Sequence, residues 1–189
     1  MSIHSSSRSD TVPVLSFVIA VLNESDNLSF VCQELADACR SLPETEIIFV
    51  DDGSRDDTVA VLQKLRDEQL PTLRILCHER CCGKSAALRT GITAARGEWV
   101  ATLDGDGQDD PHEFIEMLRL AQLASGTPPL AVGVRRRPRV GLSRVLATRF
   151  ANGLRRRLLH DDCPDTGAPR TLFHTPVFFR LPPLDARST

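Results

Sequence analysis

The sequence predicts an α/β protein in which a mostly parallel sheet carries helices on both faces. Short apolar runs alternate with segments whose apolar residues recur every three or four positions, an order typical of consecutive βαβ units. The first run, residues 14–21, is apolar almost throughout, as expected for a strand that is covered on both faces. In such a sheet the loops that follow the strands share one edge, where ligands commonly bind.

The strands and helices alternate along the chain. The predicted strands are residues 14–21, 46–50, 72–77, 99–103 and 130–134. The predicted helices are residues 25–41, 56–69, 84–96, 111–124 and 141–159. Their apolar residues fall on one face, as Leu28, Val31 and Leu35 do in the first helix. Asp56 is placed to cap the second helix, and Gly97 is placed to end the third.

Residues 98–113 are the most informative stretch. A strand runs directly into Asp104 and Asp106, which a glycine separates, and Asp110 then precedes a proline and a capping-box glutamate that open a helix. Two carboxylates on so short a loop repel one another unless a cation shares them. Because their ligand atoms are all oxygens, Mg²⁺ or Mn²⁺ is favoured over zinc.

Four of the predicted strands end in polar loops that meet at one edge of the sheet. These loops are Asn23-Glu24, Asp51-Asp52-Gly53-Ser54, Cys82-Gly83-Lys84-Ser85 and Asp104-Gly105-Asp106. Helix capping explains single acids such as Asp56, Asp109 and Asp110, but it does not explain the convergence of all four loops. A nucleoside diphosphate bridged to the protein by a metal fits this mixture of carboxylates, lysine and glycine turns.

Composition narrows the classes of protein. With 189 residues, 41% hydrophobic, and a net charge of −2, the chain is typical of one globular domain and gives no indication of nucleic-acid binding. No apolar run approaches the roughly 18–20 residues that span a bilayer. We expect a disordered tail at 1–12, a domain at 13–167 whose C-terminal part is truncated, and an irregular, proline-rich segment at 168–189.

Two other patterns leave alternatives open. Six cysteines without a signal peptide indicate a cytosolic protein with free thiols, although a zinc site formed by Cys77, His78, Cys81 and Cys82 is conceivable. The Gly-Lys-Ser sequence that ends at Ser85 suggests a P-loop, but that motif requires a glycine where this chain has histidine.

An arginine-rich segment follows the fifth predicted strand. Residues 135–157 contain nine arginines and no acid, and residues 141–159 keep an apolar stripe at helical spacing. A solvated basic face is one interpretation, and contact with phosphate or an anionic membrane surface is the other.

The polar loops, in this order, resemble those of glycosyltransferase family 2, which has the GT-A fold. The likeness covers about residues 14–167 and is strongest to the branch that transfers sugars to dolichyl or undecaprenyl phosphate. The motifs that carry it are residues 18–24, 50–54, 83–88, 95–98, 103–111 and 165–167. This chain departs from the family pattern at Ala20, where proline is usual, and again after Gly167.

The resemblance implies roles for particular residues. Those implied to bind the nucleotide-sugar are Ala20, Val21, Asn23, Glu24, Asp51, Asp52, Lys84 and Asp104. Asp104 and Asp106 are implied to be catalytic by holding the metal, with Gln108 as a further ligand, and Asp165 is implied to be catalytic on the acceptor side. Arg135 and Arg149 are implied to contact phosphate of the donor or of a lipid acceptor.

The resulting expectation is a metal-dependent transfer of sugar from a GDP- or UDP-sugar to a polyprenyl phosphate. The enzyme is expected in the cytoplasm, peripherally on the inner or plasma membrane, with a membrane protein or a second copy of the chain as a further partner. Three alternatives remain: a non-catalytic nucleotide-sugar-binding module, a sugar-phosphate nucleotidyltransferase and a P-loop NTPase.

Overall fold

A computed structural model describes residues 12–42, 44–123, 130–132 and 171–180. The strands are β1 (Leu15–Val21), β2 (Thr45–Asp51), β3 (Leu73–Cys77), β4 (Trp99–Asp104), β5 (Leu130–Val132) and β6 (Thr171–His174). The helices are α1 (Leu28–Arg40), α2 (Thr58–Glu68), α3 (Lys84–Ala94), α4 (Pro111–Leu123) and α5 (Thr175–Phe178). None of these helices combines the length and the apolar character that a bilayer span requires.

One sheet of six strands has the order β3-β2-β1-β4-β6-β5. The first four of these strands are parallel, whereas β6 runs antiparallel to both β4 and β5. At the carboxyl edge Val21 pairs with Asp51, and Ala20 pairs with Asp104. This register brings the loops after β1, β2 and β4 side by side.

Helices cover both faces of the sheet, as the sequence predicts. On one face Leu15, Phe17 and Ile19 of β1 join the core formed with α1, α2 and α4. On the other face Val18 packs in a smaller cluster with Ile92 of α3. Because successive residues of a strand point to opposite faces, the apolar run of β1 supplies both cores.

The first four strands and four helices are confirmed, with shifts of a few residues at their ends. The helix predicted from residue 25 begins at Leu28, and the backbone N–H of Ser25, ahead of it, donates to Asp56 Oδ2 at 3.2 Å. Residues 133–134 and the predicted helix at 141–159 lie outside the described residues.

The prediction of an irregular segment at 168–189 is wrong for residues 171–178, which form β6 and α5. Leu172 and Phe173 are buried, and they pair with Ala101 and Val100 of β4. Pro176 does not prevent the helix, since the first turn of a helix needs no N–H from its residues. The sheet therefore continues beyond the domain boundary predicted at residue 167.

A buried carboxylate stabilises the amino edge of the sheet. Glu46 is only 3% exposed, and it accepts hydrogen bonds from Ser16 Oγ at 2.7 Å and from the backbone N–H groups of Arg96 and Gly97. Arg74 forms an ion pair with it at 3.0 Å. Burial raises the pKa of Glu46, but the hydrogen bonds and Arg74 outweigh burial and lower it. This carboxylate therefore lies at the edge opposite to the one that carries the predicted polar loops.

Helix α3 lies unusually close to the sheet at Gly91. A Cβ atom at this position would lie 2.4 Å from Val18 Cγ1 and 2.9 Å from Val50 Cγ2. Because both valines are in the buried interior, neither is free to move aside. The missing side chain therefore allows α3, which begins at Lys84, to approach the centre of the sheet.

We predict that Gly91→Ala lowers the free energy of unfolding by about 1–3 kcal/mol, because overpacking outweighs the better helix propensity of alanine. Urea denaturation measures this change. Thr93→Ala on the exposed side of the same helix is the control, and its effect should stay within about 0.5 kcal/mol. Equal effects of both substitutions would contradict the close packing.

Candidate functional site

Two clefts adjoin at the carboxyl edge of the sheet. The smaller has a volume of about 240 Å³, and the larger has a volume of about 700 Å³. Leu22 and Cys81 line both clefts, so the two share a wall. The predicted site residues that line the smaller cleft are Ala20, Val21, Glu24, Asp52, Lys84, Asp104 and Asp106. Those that line the larger cleft are Asn23 and Asp51.

Asp51 presents an unsatisfied acceptor at the larger cleft. The residue is 3% exposed, and its Oδ2 accepts the backbone N–H groups of Gly53 at 3.2 Å and Ser54 at 3.1 Å. Its Oδ1 is buried and meets no hydrogen-bond donor in the part of the chain that the structure describes. Leaving such an atom without a partner costs about 1–3 kcal/mol. A ligand N–H in the cleft would satisfy it.

Asp52 has a different role, because its carboxylate holds the loop between β3 and α3. Oδ1 accepts the backbone N–H of Cys82 at 2.9 Å, and Oδ2 accepts that of Gly83 at 2.7 Å. His78 Nδ1 lies 2.7 Å from Oδ1, and the Cys81 thiol donates to Oδ2 at 3.2 Å. Burial raises the pKa of Asp52, but the four contacts outweigh it and lower the pKa to about 2.

The two loops joined by Asp52 are also in van der Waals contact at Gly53. Its φ of +79° lies in the left-handed region, and a Cβ atom there would come within 2.7 Å of the Arg80 carbonyl carbon. Any other residue at this position would force the loops apart. This contact explains why a glycine directly follows Asp51 and Asp52 in the loop after β2.

The loop after β1 is attached to the loop after β2 through Asn23 and Glu24. Asn23 has a φ of +54°, and its Oδ1 accepts the backbone N–H of Arg55 at 2.8 Å. The backbone N–H of Asn23 donates to Ser54 Oγ at 2.8 Å, and that of Glu24 donates to Thr58 Oγ1 at 2.9 Å. Asn23 therefore shapes the wall of the larger cleft, and its side-chain oxygen is already occupied.

An ammonium group lies beside Asp104, one of the two acids that are predicted to hold a cation. Lys84 Nζ forms an ion pair with Asp104 Oδ1. Asp106 Oδ1 accepts the backbone N–H of Gln108 at 3.0 Å, and the Gln108 side chain is exposed outside the lining of the cleft. The structure thus brings both acids and the lysine together, whereas the role of Gln108 as a metal ligand stays a prediction.

Three predicted site residues, Arg135, Arg149 and Asp165, lie outside the described residues, and their roles stay predictions.

Sequence reasoning, in turn, missed His78 and Thr90 as supports of the site. His78 Nε2 lies 2.9 Å from Thr90 Oγ1 while its Nδ1 faces Asp52. The only signal in the sequence was the position of His78 immediately after a strand.

The loop before α3 does not form a P-loop. Gly83 has a φ of +94°, and the helix begins at Lys84, as in the predicted plan. However, the backbone N–H groups of Cys82 and Gly83 donate to Asp52 instead of pointing into an anion cradle. A phosphate would have to displace this buried carboxylate, which argues against that alternative.

Comparison with known proteins agrees with this geometry. The family model described as "Glycosyl transferase family 2" matches residues 16–178. The chain belongs to this family, which rules against the nucleotidyltransferase and NTPase alternatives. Dodecaprenyl-phosphate galacturonate synthase of Rhizobium johnstonii is 36% identical over 129 residues, which are 68% of this chain and 38% of that protein.

Other relatives transfer a different sugar. Undecaprenyl-phosphate 4-deoxy-4-formamido-L-arabinose transferase of Pseudomonas fluorescens is 37% identical over 59% of this chain and 33% of that protein. Its namesake in Edwardsiella ictaluri is 29% identical over 95% of this chain and 54% of that protein. The chain therefore spans about a third to a half of the length of these curated relatives.

Solved structures share the fold. The mannosyltransferase PcManGT of Pyrobaculum calidifontis, solved with GDP-Man and Mn²⁺, has a TM-score of 0.67 at 20% identity over 90% of this chain and 47% of that one. Glucosyl-3-phosphoglycerate synthase of Mycobacterium tuberculosis, solved with Mn²⁺, UDP and phosphoglyceric acid, has a TM-score of 0.67 at 22% identity over 90% and 58% of the two chains. These likenesses confirm the predicted GT-A fold.

We predict that the stabilising contribution of Asp52 disappears in acid. Its pKa of about 2 lies below the ordinary value of about 3.9, so its contribution is complete above about pH 4 and is lost as the pH falls through about 2. Urea unfolding of the wild type and of Asp52→Asn should give free energies that converge over this interval. The exposed substitution Asp67→Asn should show no comparable convergence, and parallel curves for Asp52→Asn would contradict the assignment.

Proposed function

We propose that this chain binds a nucleotide-sugar and transfers its sugar to a polyprenyl phosphate. The observation that carries the proposal is the adjacency of two chemically different clefts. One offers the unpartnered Asp51 Oδ1, and the other offers Asp104, Asp106 and Lys84. A nucleoside diphosphate has a base with N–H donors at one end, which Asp51 Oδ1 can accept, and two negative phosphates at the other, which Lys84 and a cation held by the two acids can offset.

The nucleoside is proposed to occupy the larger cleft. An N–H of its base would donate to Asp51 Oδ1, which supplies a charge-assisted hydrogen bond and satisfies the buried oxygen. The loop held by Asn23 forms the adjoining wall. The diphosphate would then extend past Leu22 and Cys81 into the smaller cleft, because these two residues line both spaces.

The smaller cleft has the chemistry to hold a divalent cation. Asp104 and Asp106 contribute oxygen ligands, and the Lys84 ammonium already lies against Asp104, so a positive charge is accommodated there. Mg²⁺ or Mn²⁺ would be held by these two acids, with Gln108 as a third candidate. When bound, the metal supplies positive charge that offsets the charge of a diphosphate leaving group.

The acceptor determines which further groups are needed. A phosphate monoester has a second pKa near ~6, so its oxygen is anionic near neutral pH and attacks the anomeric carbon without a general base. Lys84 is placed to stabilise the charge of the departing diphosphate. Arg135 and Arg149 are proposed to orient the acceptor phosphate, and Asp165 is proposed on the acceptor side, where a hydroxyl acceptor would require it as a base.

The named relatives act on polyprenyl phosphates, and such lipids are held in membranes. We therefore propose that this protein works in the cytoplasm at the surface of the inner or plasma membrane, through its arginine-rich segment at 135–157. A membrane protein or a second copy of the chain is proposed as a further partner.

We predict that a GDP- or UDP-sugar at about 100 times its Kd raises the melting temperature by about 5–10 °C in the presence of Mn²⁺. Asp51→Asn should weaken binding at least about tenfold with or without metal, since it removes a charged acceptor. Asp104→Asn should instead abolish the part of the affinity that depends on Mn²⁺. Isothermal titration calorimetry measures the affinity for the nucleotide-sugar in the wild type, in Asp51→Asn and in Asp104→Asn.

Asp67→Asn is the matched control for both substitutions, because it removes an exposed carboxylate on α2, away from the clefts. Its affinity should equal that of the wild type. Binding that is independent of Mn²⁺ in every protein would overturn the proposed metal site, and unchanged affinity in Asp51→Asn would overturn the placement of the base.

We also predict transfer of a radiolabelled sugar to undecaprenyl phosphate in vesicles, and loss of this transfer in Asp106→Asn. Chromatography of the extracted lipid measures the product. Tight donor binding without transfer to any polyprenyl phosphate would favour the non-catalytic binding module instead.

A further inference from the structure

A second group of metal-ligand atoms lies in the wall of the site, apart from Asp104 and Asp106. Asp52, His78 and Cys82 each offer one atom, and these atoms all lie within 4.8 Å of one another. The set combines a carboxylate oxygen, an imidazole nitrogen and a thiol sulfur. We propose that these three residues form a binding site for Zn²⁺ or another thiophilic divalent cation, distinct from the oxygen-only site for Mg²⁺ or Mn²⁺.

The donor types select the metal. Zinc accepts sulfur, nitrogen and oxygen ligands in tetrahedral geometry, and three protein ligands leave a fourth position for water or another ligand. Magnesium requires near-octahedral oxygen ligands and rejects a thiolate. The site at Asp104 and Asp106 has the opposite preference, so the two sites would discriminate between cations by ligand chemistry.

The ligand set differs from the one that the cysteine and histidine spacing indicated. Cys77 and Cys81 are outside the group of mutually close atoms, and Asp52, about 30 residues earlier in the chain, takes part instead. Its place in the set depends on the contact between the two loops, which no local spacing pattern records. Cys77 is exposed and directly precedes His78, which makes it a close control.

The histidine is already oriented for this role. His78 Nε2 lies 2.9 Å from Thr90 Oγ1, and Nδ1 faces the Asp52 carboxylate at 2.7 Å. A hydrogen bond at one ring nitrogen fixes the tautomer and the direction of the other, as is usual for histidines that bind metals. In the metal-free site Nδ1–H donates to the Asp52 carboxylate, so metal binding at Nδ1 would move this proton to Nε2, which would then donate to Thr90 Oγ1.

Only small shifts would close the site around an ion. Tetrahedral zinc with bonds of about 2.0–2.3 Å separates its ligand atoms by roughly 3.3–3.8 Å. Asp52 and His78 would move slightly apart from their present 2.7 Å, and the Cys82 sulfur already lies within 4.8 Å of a ligand atom of each. The Cys82 thiol now donates to the Arg80 carbonyl at 3.3 Å, and metal binding would release this proton to solvent. Cys82 is exposed, so an ion has access.

Occupation of this site would affect the donor cleft, a consequence that rests on the proposed function. The metal would take Asp52 Oδ1, which now accepts the backbone N–H of Cys82. Asp52 and Gly83 both line the smaller cleft, and Lys84 follows directly. Zinc would therefore shift the loop that precedes Lys84 and weaken binding of the nucleotide-sugar.

The test uses Co²⁺ as a spectroscopic substitute for Zn²⁺, with the whole chain kept reduced and without nucleotide. The wild type should show a thiolate-to-cobalt absorption band that Zn²⁺ displaces. Cys82→Ser should lose the band and bind Zn²⁺ at least about 100-fold more weakly, since even an indirect partner of a metal ligand is worth 10–100-fold. Cys77→Ser should keep both the band and the affinity, and circular dichroism checks that each variant is folded.

The site is overturned if the wild type gives no band, if the band persists in Cys82→Ser, or if it disappears in Cys77→Ser. A second arm measures donor affinity with and without Zn²⁺, which should weaken binding in the wild type and leave Cys82→Ser unchanged. If no nucleotide-sugar binds in either protein, the proposed function fails, while the metal site still stands or falls on the cobalt band.

Discussion

The carboxylate of Asp52 is the interaction on which the site depends. It accepts the backbone N–H groups of Cys82 and Gly83, so the loop before α3 is fixed against the loop after β2. Lys84 follows that loop and reaches Asp104, the last residue of β4. Without the Asp52 contacts, the loop that precedes Lys84 would not be held beside the loop after β2. The low pKa of Asp52 reflects how strongly these donors favour its charged form.

The parallel register supplies the second constraint. Ala20 lies opposite Asp104 and Val21 lies opposite Asp51, so residues more than 80 positions apart in sequence meet at one edge. The close approach at Gly91 then places α3 against the sheet, and the contact at Gly53 joins two loops that line the larger cleft. Binding specificity of the kind proposed here thus comes from loops, whereas the rigid sheet fixes only where the loops begin.

Much of this arrangement could be predicted because it follows from local chemistry. Apolar runs define β1 to β4, and carboxylates placed directly after them must lie at the shared edge of a parallel sheet. The separate tasks of Asp51 and Asp52 could not be predicted, because they depend on loops that meet only in the folded chain. Residues 171–174 were missed because pairing with β4, rather than local periodicity, makes them a strand. The sequence likewise indicates Glu46 only as part of a strand, and its role as a buried hydrogen-bond acceptor was missed because its partners are distant in sequence.

A crystal structure with Mn²⁺ and a nucleoside diphosphate, with the metal located by anomalous scattering, tests the central claim most directly. The account predicts manganese bound by carboxylate oxygens of both Asp104 and Asp106 at about 2.0–2.3 Å, and a base N–H within hydrogen-bond distance of Asp51 Oδ1. Manganese bound away from these two acids, or a nucleotide that leaves Asp51 Oδ1 without a donor, would contradict it.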